Sequence, residues 1–225
     1  MYDIFFISYN ESNCEDNWQN LLTLHPASRR IKNIQGIDRS HMECNQLSTT
    51  EKFWTIDGDN WLLQKLPIDI TVNHDLIFFN SKDPIDGVIS SMGGVKLWTK
   101  NKIINPNMSK GDFCKNATLD SIVIQKTISE HRYNATPYET WRCAFRHAVK
   151  ALSGIITKKV LEDNISKFEK HKSLDDGRNN AMWSYRGYLD AKEYVEVCNG
   201  DFNKINFIND YDWLESHFLK YEKIK

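Results

Sequence analysis

Short apolar runs and helically spaced apolar residues alternate along the first part of this chain. Ile4 to Ile7 is a continuous apolar run and predicts a buried first strand. The polar stretch from Ser8 to Glu11 follows, and Ser12-Asn13-Cys14-Glu15 then has the pattern of a capping box at a helix start. Trp18, Leu21, Leu22 and His25 continue at helical spacing until Pro26 ends it. Strand, polar loop and capped helix together are the opening unit of an α/β domain of the nucleotide-binding kind. No GxGxxG is present, which disfavours a dinucleotide site.

A second, shorter strand is expected between Arg30 and Ile37, and Ser40-His41-Met42-Glu43 is a further capping box opening a brief helix through Leu47. The run Phe53-Trp54-Thr55-Ile56 then reads as a buried strand, and it ends in Asp57 and Asp59 with one glycine between them. Asp-Gly is a common hairpin signal, so one reading is a turn between two paired strands. The other follows from the two preceding strand–helix units, which would set the acids at the carboxyl edge of a sheet, where ligands bind. Two carboxylates there suit a hard divalent cation, Mg²⁺ or Mn²⁺.

Beyond the acid pair, Leu66 to Val72 and Leu76 to Phe79 read as strands, and 81–92 as a long polar loop. Gly93 and Gly94 precede the β-like run Val95-Lys96-Leu97-Trp98 and permit close backbone approach. Thr136-Pro137-Tyr138-Glu139 is the strongest helix start in the chain: cap, proline, then glutamate. Trp141, Phe145, Ala148, Val149 and Leu152 form its apolar stripe, while Arg142, Arg146 and Lys150 share another face. Such a basic stripe is a solvated face or a phosphate-binding one. From 157 to 178 the chain turns polar and basic, an exposed helix and loop, and from Trp183 to Phe218 helical spacing returns. The expected organisation is a core over 1–152 and a helical extension over 153–225 that completes one compact domain.

Composition narrows the class. With 225 residues, 40% hydrophobic and 26% charged, the chain is a globular protein and not a disordered one. A net charge of −1 gives no global polyanion signal, so nucleic-acid binding would need a local patch. Cys14, Cys44, Cys114, Cys143 and Cys198 are scattered without CxxC spacing, which fits a reducing intracellular setting and no cysteine-bound metal. No window is apolar enough for a transmembrane span, and no membrane partner is expected.

In order, the motifs resemble the small glycosyltransferases encoded by tailed bacteriophages, including those that sugar-modify hydroxymethylated pyrimidines in phage DNA. The resemblance is carried by Asp3-Ile-Phe-Phe-Ile-Ser-Tyr-Asn-Glu11 with Asn17-Trp18, Gly36-Ile-Asp-Arg-Ser-His41, and Thr50-Glu-Lys-Phe-Trp-Thr-Ile-Asp-Gly-Asp59. It continues through Gly93-Gly-Val-Lys-Leu97, Arg132-Tyr-Asn-Ala-Thr-Pro137, Thr140-Trp-Arg142, Phe145-Arg146 and Ile208-Asn-Asp-Tyr-Asp-Trp-Leu214. Asp83-Pro84 departs from it, since Asn is expected before that proline.

The resemblance implies an α/β, GT-A-like nucleotide-diphospho-sugar transferase fold, with a central mixed sheet and a helical C-terminal part. It implies a hexosyl or pentosyl group taken from a nucleotide sugar, a UDP-sugar being expected, with Mn²⁺ or Mg²⁺ at an Asp-x-Asp site and DNA as acceptor. Donor contacts fall on Tyr9, Asn10, Glu11, Arg39, His41, Asp57, Lys96 and Arg132. Metal ligands fall on Asp57, Asp59 and His131, and acceptor phosphates on Arg142, Arg146 and Lys150. The base that deprotonates the acceptor falls on Asp112, after the Gly-Gly strand, with Glu139 as runner-up. The expected compartment is the cytoplasm of an infected cell. Two rivals remain at this level: transfer to a surface glycan or protein, and a non-catalytic module that recognises nucleic acid or sugar.

Overall fold

Among the described residues eight strands build one mixed sheet, and their order explains how distant parts of the sequence reach a common edge. The computed structural model describes residues 2–91, 94–103, 113–118, 120–154 and 158–222. The chain divides into two compact units, Met1–Arg132 and Tyr133–Lys225. The first contains β1 (Asp3–Ser8), α1 (Cys14–Leu24), β2 (Arg29–Lys32), α2 (Ile37–Leu47), β3 (Lys52–Asp57) and β4 (Asn60–Leu62). It continues with β5 (Leu76–Lys82), β6 (Ile89–Ser90), β7 (Val95–Thr99), α3 (Phe113–Ala117) and β8 (Ser121–His131).

The sheet order is β2-β1-β3-β7-β5-β8-β4, with β6 beside β5. β1 is parallel to β2 and β3, β7 is antiparallel to both β3 and β5, β8 is parallel to β5, and β4 is antiparallel to β8. The carboxyl ends of β1, β3, β5 and β8 therefore share one edge with the amino ends of β7 and β4.

Alternation along the strands divides the core in two. Ile4, Phe6, Trp54, Ile56, Ile77, Phe79, Val95 and Leu97 face α1, where Leu21 and Trp18 cover them. Phe5, Phe53, Leu76 and Trp98 face the other way, toward Cys44 of α2 and Phe113 of α3. Asp57 and Lys96 share this second face, two residues from Phe53's neighbour Thr55 and from Trp98 respectively.

Three local expectations are revised. α2 starts at Ile37, one residue after Gly36 with its φ of 103°, and the Ser40 hydroxyl donates back to the Gly36 and Ile34 carbonyls instead of capping a later start. Residues 66–72 form no strand; Leu66 is buried and Ile70 and Val72 pack on the α1-side core without pairing. Within the expected 81–92 loop, β6 pairs with the end of β5.

The second unit is helical: α4 (Pro137–Leu152), α5 (Lys158–Ser173), α6 (Ala181–Cys198), α7 (Phe202–Ile205), a 3-10 turn (Asn206–Asn209) and α8 (Tyr211–Glu222). α4 belongs here, and not at the end of the first unit, because its stripe of Trp141, Ala144, Phe145, Ala148 and Val149 packs with Phe168, Tyr188, Leu214 and Phe218. Its start is the expected capping box: the Thr136 hydroxyl accepts from the Glu139 N–H at 3.2 Å and donates to the Glu139 carboxylate at 3.0 Å.

His217 lies inside this aromatic core, stacked on Trp213 at 4.5 Å between ring centroids. Burial pushes its imidazole down to about 4, and Lys220 adds to the fall. In the unfolded chain the same ring takes a proton near pH 6.5. Between those values the unfolded state binds more protons, so stability falls as the pH is lowered through that window. His41, enclosed in the first unit and pushed well down by burial and then by Lys96, acts in the same direction. Thermal melts at pH 7.5 and 5.0 should differ by roughly 5 °C in the wild type. His217→Phe, which keeps the stacked ring, should shrink that difference; an unchanged difference would remove His217 from the account.

Candidate active site

The turn at Asp57-Gly58-Asp59 joins two strands that do not pair with each other. β3 lies between β1 and β7, whereas β4 pairs with β8 at the far end of the sheet. The hairpin reading therefore fails, because the turn carries the chain across the carboxyl edge instead of folding it back. Asp57 stands level with Ile7 of β1, and Tyr9, Asn10 and Glu11 follow immediately beyond.

Close packing fixes the turn. The Glu11 carboxylate accepts from the Tyr9 N–H at 2.8 Å and lies over Gly58, where a Cβ would come within 2.6 Å of Glu11 Oε2. A side chain at this position would displace the Glu11 carboxylate from the turn. From α1, Asn17 donates to the Gly58 carbonyl at 2.8 Å while 0% exposed. Arg132 N–H donates to the Asp59 carbonyl at 2.6 Å, and Asn13 donates to the Arg132 carbonyl at 2.7 Å. Helix α1, the turn and the end of β8 are thus joined through backbone carbonyls.

The two carboxylates have different surroundings. Lys96 Nζ donates to both Asp57 oxygens, at 3.0 and 2.9 Å, with the lysine side chain 2% exposed. Burial pushes the Asp57 carboxyl up, against the pull of Lys96 and with a further rise from Asp59. Burial works against the Lys96 ammonium, but Asp57 outweighs it and holds the group above its ordinary value. Asp59 instead offers Oδ2 to His131 Nε2 at 3.0 Å, and Oδ1 accepts from Asn60 Nδ2 at 2.9 Å.

Asn60 is 1% exposed and is held in turn by Ser129 Oγ at 3.1 Å, which meets Ser81 Oγ at 2.6 Å. A register shift between β5 and β8 sets those two serines opposite each other. In the sequence the only mark of this serine–asparagine relay is the place of Asn60 beside the acid pair. Gly94 makes space for it, since a Cβ there would lie 2.1 Å from Asn60 Nδ2. The glycine expected to admit a ligand thus admits a buried side chain. Gly94→Ala should displace Asn60 and lower Mn²⁺ affinity by about tenfold, as read by electron paramagnetic resonance of free Mn²⁺. Unchanged affinity in a folded variant would contradict the role given to Asn60.

Asp59 Oδ2 and His131 Nε2 fit a divalent ion chemically. Two neighbouring ligands of an octahedral ion at about 2.1 Å lie about 3 Å apart, which matches their observed 3.0 Å separation. The nitrogen donor favours Mn²⁺ over Mg²⁺.

The remaining sequence candidates fall in several places. Lys96 reaches Asp57 and is enclosed by the sheet. His41 is 0% exposed, with Nδ1 at the Ile37 carbonyl and its ring against Trp98 and Phe113. Arg39 is exposed on α2. Arg132 lies 3.9 Å over the Trp61 ring, pairs with Glu130 at 3.0 Å, and borders a shallow recess formed with Asp16, Gln19, Asn20 and Thr23 of α1. In the second unit, Arg146 donates to the Ile208 carbonyl, Asn209 and Tyr211, while Arg142 lies over Tyr138 and Tyr211. Lys150 is half-buried near the end of α4. Glu139 is engaged in the helix cap, and Asp112 lies outside the described residues.

No protein-family model matches the chain, and no curated protein does. Among solved structures it is similar to HddC from Yersinia pseudotuberculosis at 14% identity and a TM-score of 0.38, over 57% of this chain and 92% of that one. It is similar to a glycosyltransferase involved in glycosylation of the major capsid of PBCV-1 at 13% identity and a TM-score of 0.34, over 55% and 81%. It is also similar to S. aureus TarS 1-349, solved with UDP-GlcNAc, at 11% identity and a TM-score of 0.41, over 88% and 91%. The fold class is α/β: a central mixed sheet with helices on both faces and a helical C-terminal part. Among the described residues no helix is long and apolar enough to cross a membrane.

Proposed function

We propose that the chain is a metal-dependent glycosyltransferase that moves a sugar from a nucleotide-sugar donor to a hydroxyl acceptor. The observation that carries this reading is the Asp57-Gly58-Asp59 turn at the carboxyl edge, with Asp59 and His131 forming one two-ligand set. A binding module without chemistry has no need of two buried networks to orient two adjacent carboxylates. Expelling a nucleoside diphosphate builds negative charge on the leaving group, and a bound divalent ion supplies the opposing charge. Asp59 and His131 would hold that ion. Tyr9, Asn10 and Glu11, just beyond the end of β1, are the proposed nucleoside contacts, and the hydrogen bond from Asn17 to the Gly58 carbonyl holds the turn.

Asp112 is the proposed base for the acceptor hydroxyl. For the acceptor we propose a hydroxymethylated pyrimidine in phage DNA, on the strength of the sequence resemblance. Arg142, Arg146 and Lys150 of the basic stripe are the proposed phosphate contacts, Arg146 also donating to the Ile208 carbonyl and Asn209 within the second unit. The test is incubation with Mn²⁺, a panel of nucleotide sugars and hydroxymethylcytosine-containing duplex, followed by nucleoside mass spectrometry. A nucleoside heavier by one hexosyl or pentosyl group is the expected product. Donor hydrolysis without DNA product would reject the DNA acceptor, and no turnover of any donor would reject the transferase.

A further inference from the structure

Helix α1 closes the outer edge of the sheet with a side chain. Among the described residues β4 pairs with β8 alone. On its other side Asn20 accepts from the Leu62 N–H at 2.8 Å and donates to the Leu62 carbonyl at 3.2 Å. One carboxamide thus takes the place of a neighbouring strand and ties the helix to the edge. Between them lies a recess of about 530 Å³, lined by Asp16, Gln19, Asn20 and Thr23 with Trp61 and Arg132. The α1 residues recur at the spacing of one helix face, and a cleft of this size suits a small ligand.

The recess keeps donors and acceptors in hand. Arg132 is fixed over the Trp61 ring at 3.9 Å and donates through Nε to Glu130 at 3.0 Å, which leaves its outer N–H groups to point elsewhere. Asp16 lines the same recess without pairing to Arg132. Among the described residues neither the Asp16 carboxylate, the Gln19 carboxamide nor the Trp61 indole N–H has a hydrogen-bond partner. The charges nearby cancel, because Lys82 stands 4.0 Å from Glu130 and Asp16 offsets Arg132.

That balance decides the ligand class. A phosphate needs surplus positive charge, which these residues do not supply. A nucleobase is read between two flat apolar walls, and here one wall is a polar helix face. A pyranose ring meets both halves of the recess. The C–H groups of its face pack on an indole, and the hydroxyls around its rim both donate and accept.

We propose that this recess binds a neutral pyranose ring at the end of a glycan, apart from the metal site at the carboxyl edge. Trp61 is the apolar platform, Asp16 and Gln19 accept from the sugar hydroxyls, and Arg132 donates to them. Arg132, placed at the donor by the sequence resemblance, serves this site. No cation takes part, so the inference does not rest on the glycosyltransferase reading.

The experiment is titration of the full chain with the methyl glycosides of glucose, galactose, mannose and N-acetylglucosamine. It is read at the Trp61 indole N–H by two-dimensional NMR, with Trp61→Phe to assign the signal. One glycoside should shift that signal to saturation with a dissociation constant in the millimolar range, equally in MnCl₂ and in EDTA. Asp16→Asn and Gln19→Ala should each weaken binding about fivefold, the loss of one hydrogen bond. Both positions are exposed on α1, so neither change disturbs the core. Trp61→Ala should abolish binding, as read by saturation transfer to the glycoside.

A Trp61 signal that none of these glycosides shifts would overturn the assignment, as would undiminished affinity in both α1 variants. A shift produced by inorganic phosphate or hydroxymethyldeoxycytidine in place of a glycoside would overturn it too. Binding that is lost in EDTA would belong to the metal site and not to this recess. Absence of nucleoside diphosphate binding strikes the glycosyltransferase reading alone, so the two can fail separately.

Discussion

Replacing Asp59 by alanine should lower donor turnover by about 10³-fold and leave the protein folded. Asp59 sits in a turn with its side chain 23% exposed, outside both apolar clusters of the first unit. Its removal deletes the proposed oxygen ligand and frees Asn60 from its hydrogen bond, but opens no cavity in the core. Melting temperature should therefore fall by no more than about 3 °C. Turnover assayed with each nucleotide sugar at saturating Mn²⁺ checks this. Wild-type turnover in the variant would remove Asp59 from the metal site.

The largest stability effect should come from Trp141→Ala in the second unit. Trp141 is 0% exposed and stacks on Phe145 with ring centroids 4.7 Å apart. Its indole N–H donates at 2.8 Å to Asp190, which is itself 0% exposed and forms an ion pair with Arg186. Truncation combines a large cavity with the loss of a donor to a buried carboxylate, and should cost about 4–5 kcal/mol. Trp141→Phe keeps most of the ring and loses the N–H, so it should cost about 2 kcal/mol. Denaturant unfolding followed by circular dichroism distinguishes the two. Equal costs would mean that the hydrogen bond to Asp190 carries the effect and the packing does not.

Much of the candidate site was legible because it depends on local order. The apolar run ending in Asp57-Gly58-Asp59 ends a strand, and the strand–helix units before it are present as β1–α1 and β2–α2. The capping box at Thr136 also forms as spelled. What stayed hidden depends on pairing between distant segments. Ser121 to His131 is the longest strand among the described residues, and its β-branched Ile122, Val123, Ile124, Thr127 and Ile128 are broken by Gln125 and Lys126, so that no single apolar run marks it. Only its register with β4 brings His131 to Asp59.

Lys96 illustrates the same limit from the other side. Its sequence neighbours marked it as near the donor, but a lysine on a strand points to one face or the other, and the inward face leads to Asp57. Similarly, the motifs Trp141–Arg142, Phe145–Arg146 and Ile208–Leu214 prove to be two sides of one packing arrangement. Arg146 reaches the Ile208 carbonyl and Tyr211, while Trp141 and Phe145 lie in a core that includes Leu214. At sequence level a basic stripe and a structural staple look alike, because both place arginine at every fourth position.

The most direct measurement of the central claim is calorimetric titration of the wild-type chain with nucleoside diphosphates, in MnCl₂ and again in EDTA. The Asp57-Gly58-Asp59 edge as described predicts that one nucleotide binds with a dissociation constant in the micromolar range, about −8 kcal/mol, in MnCl₂, and that this binding is lost in EDTA. Equal binding in the two buffers, or none in either, would contradict it.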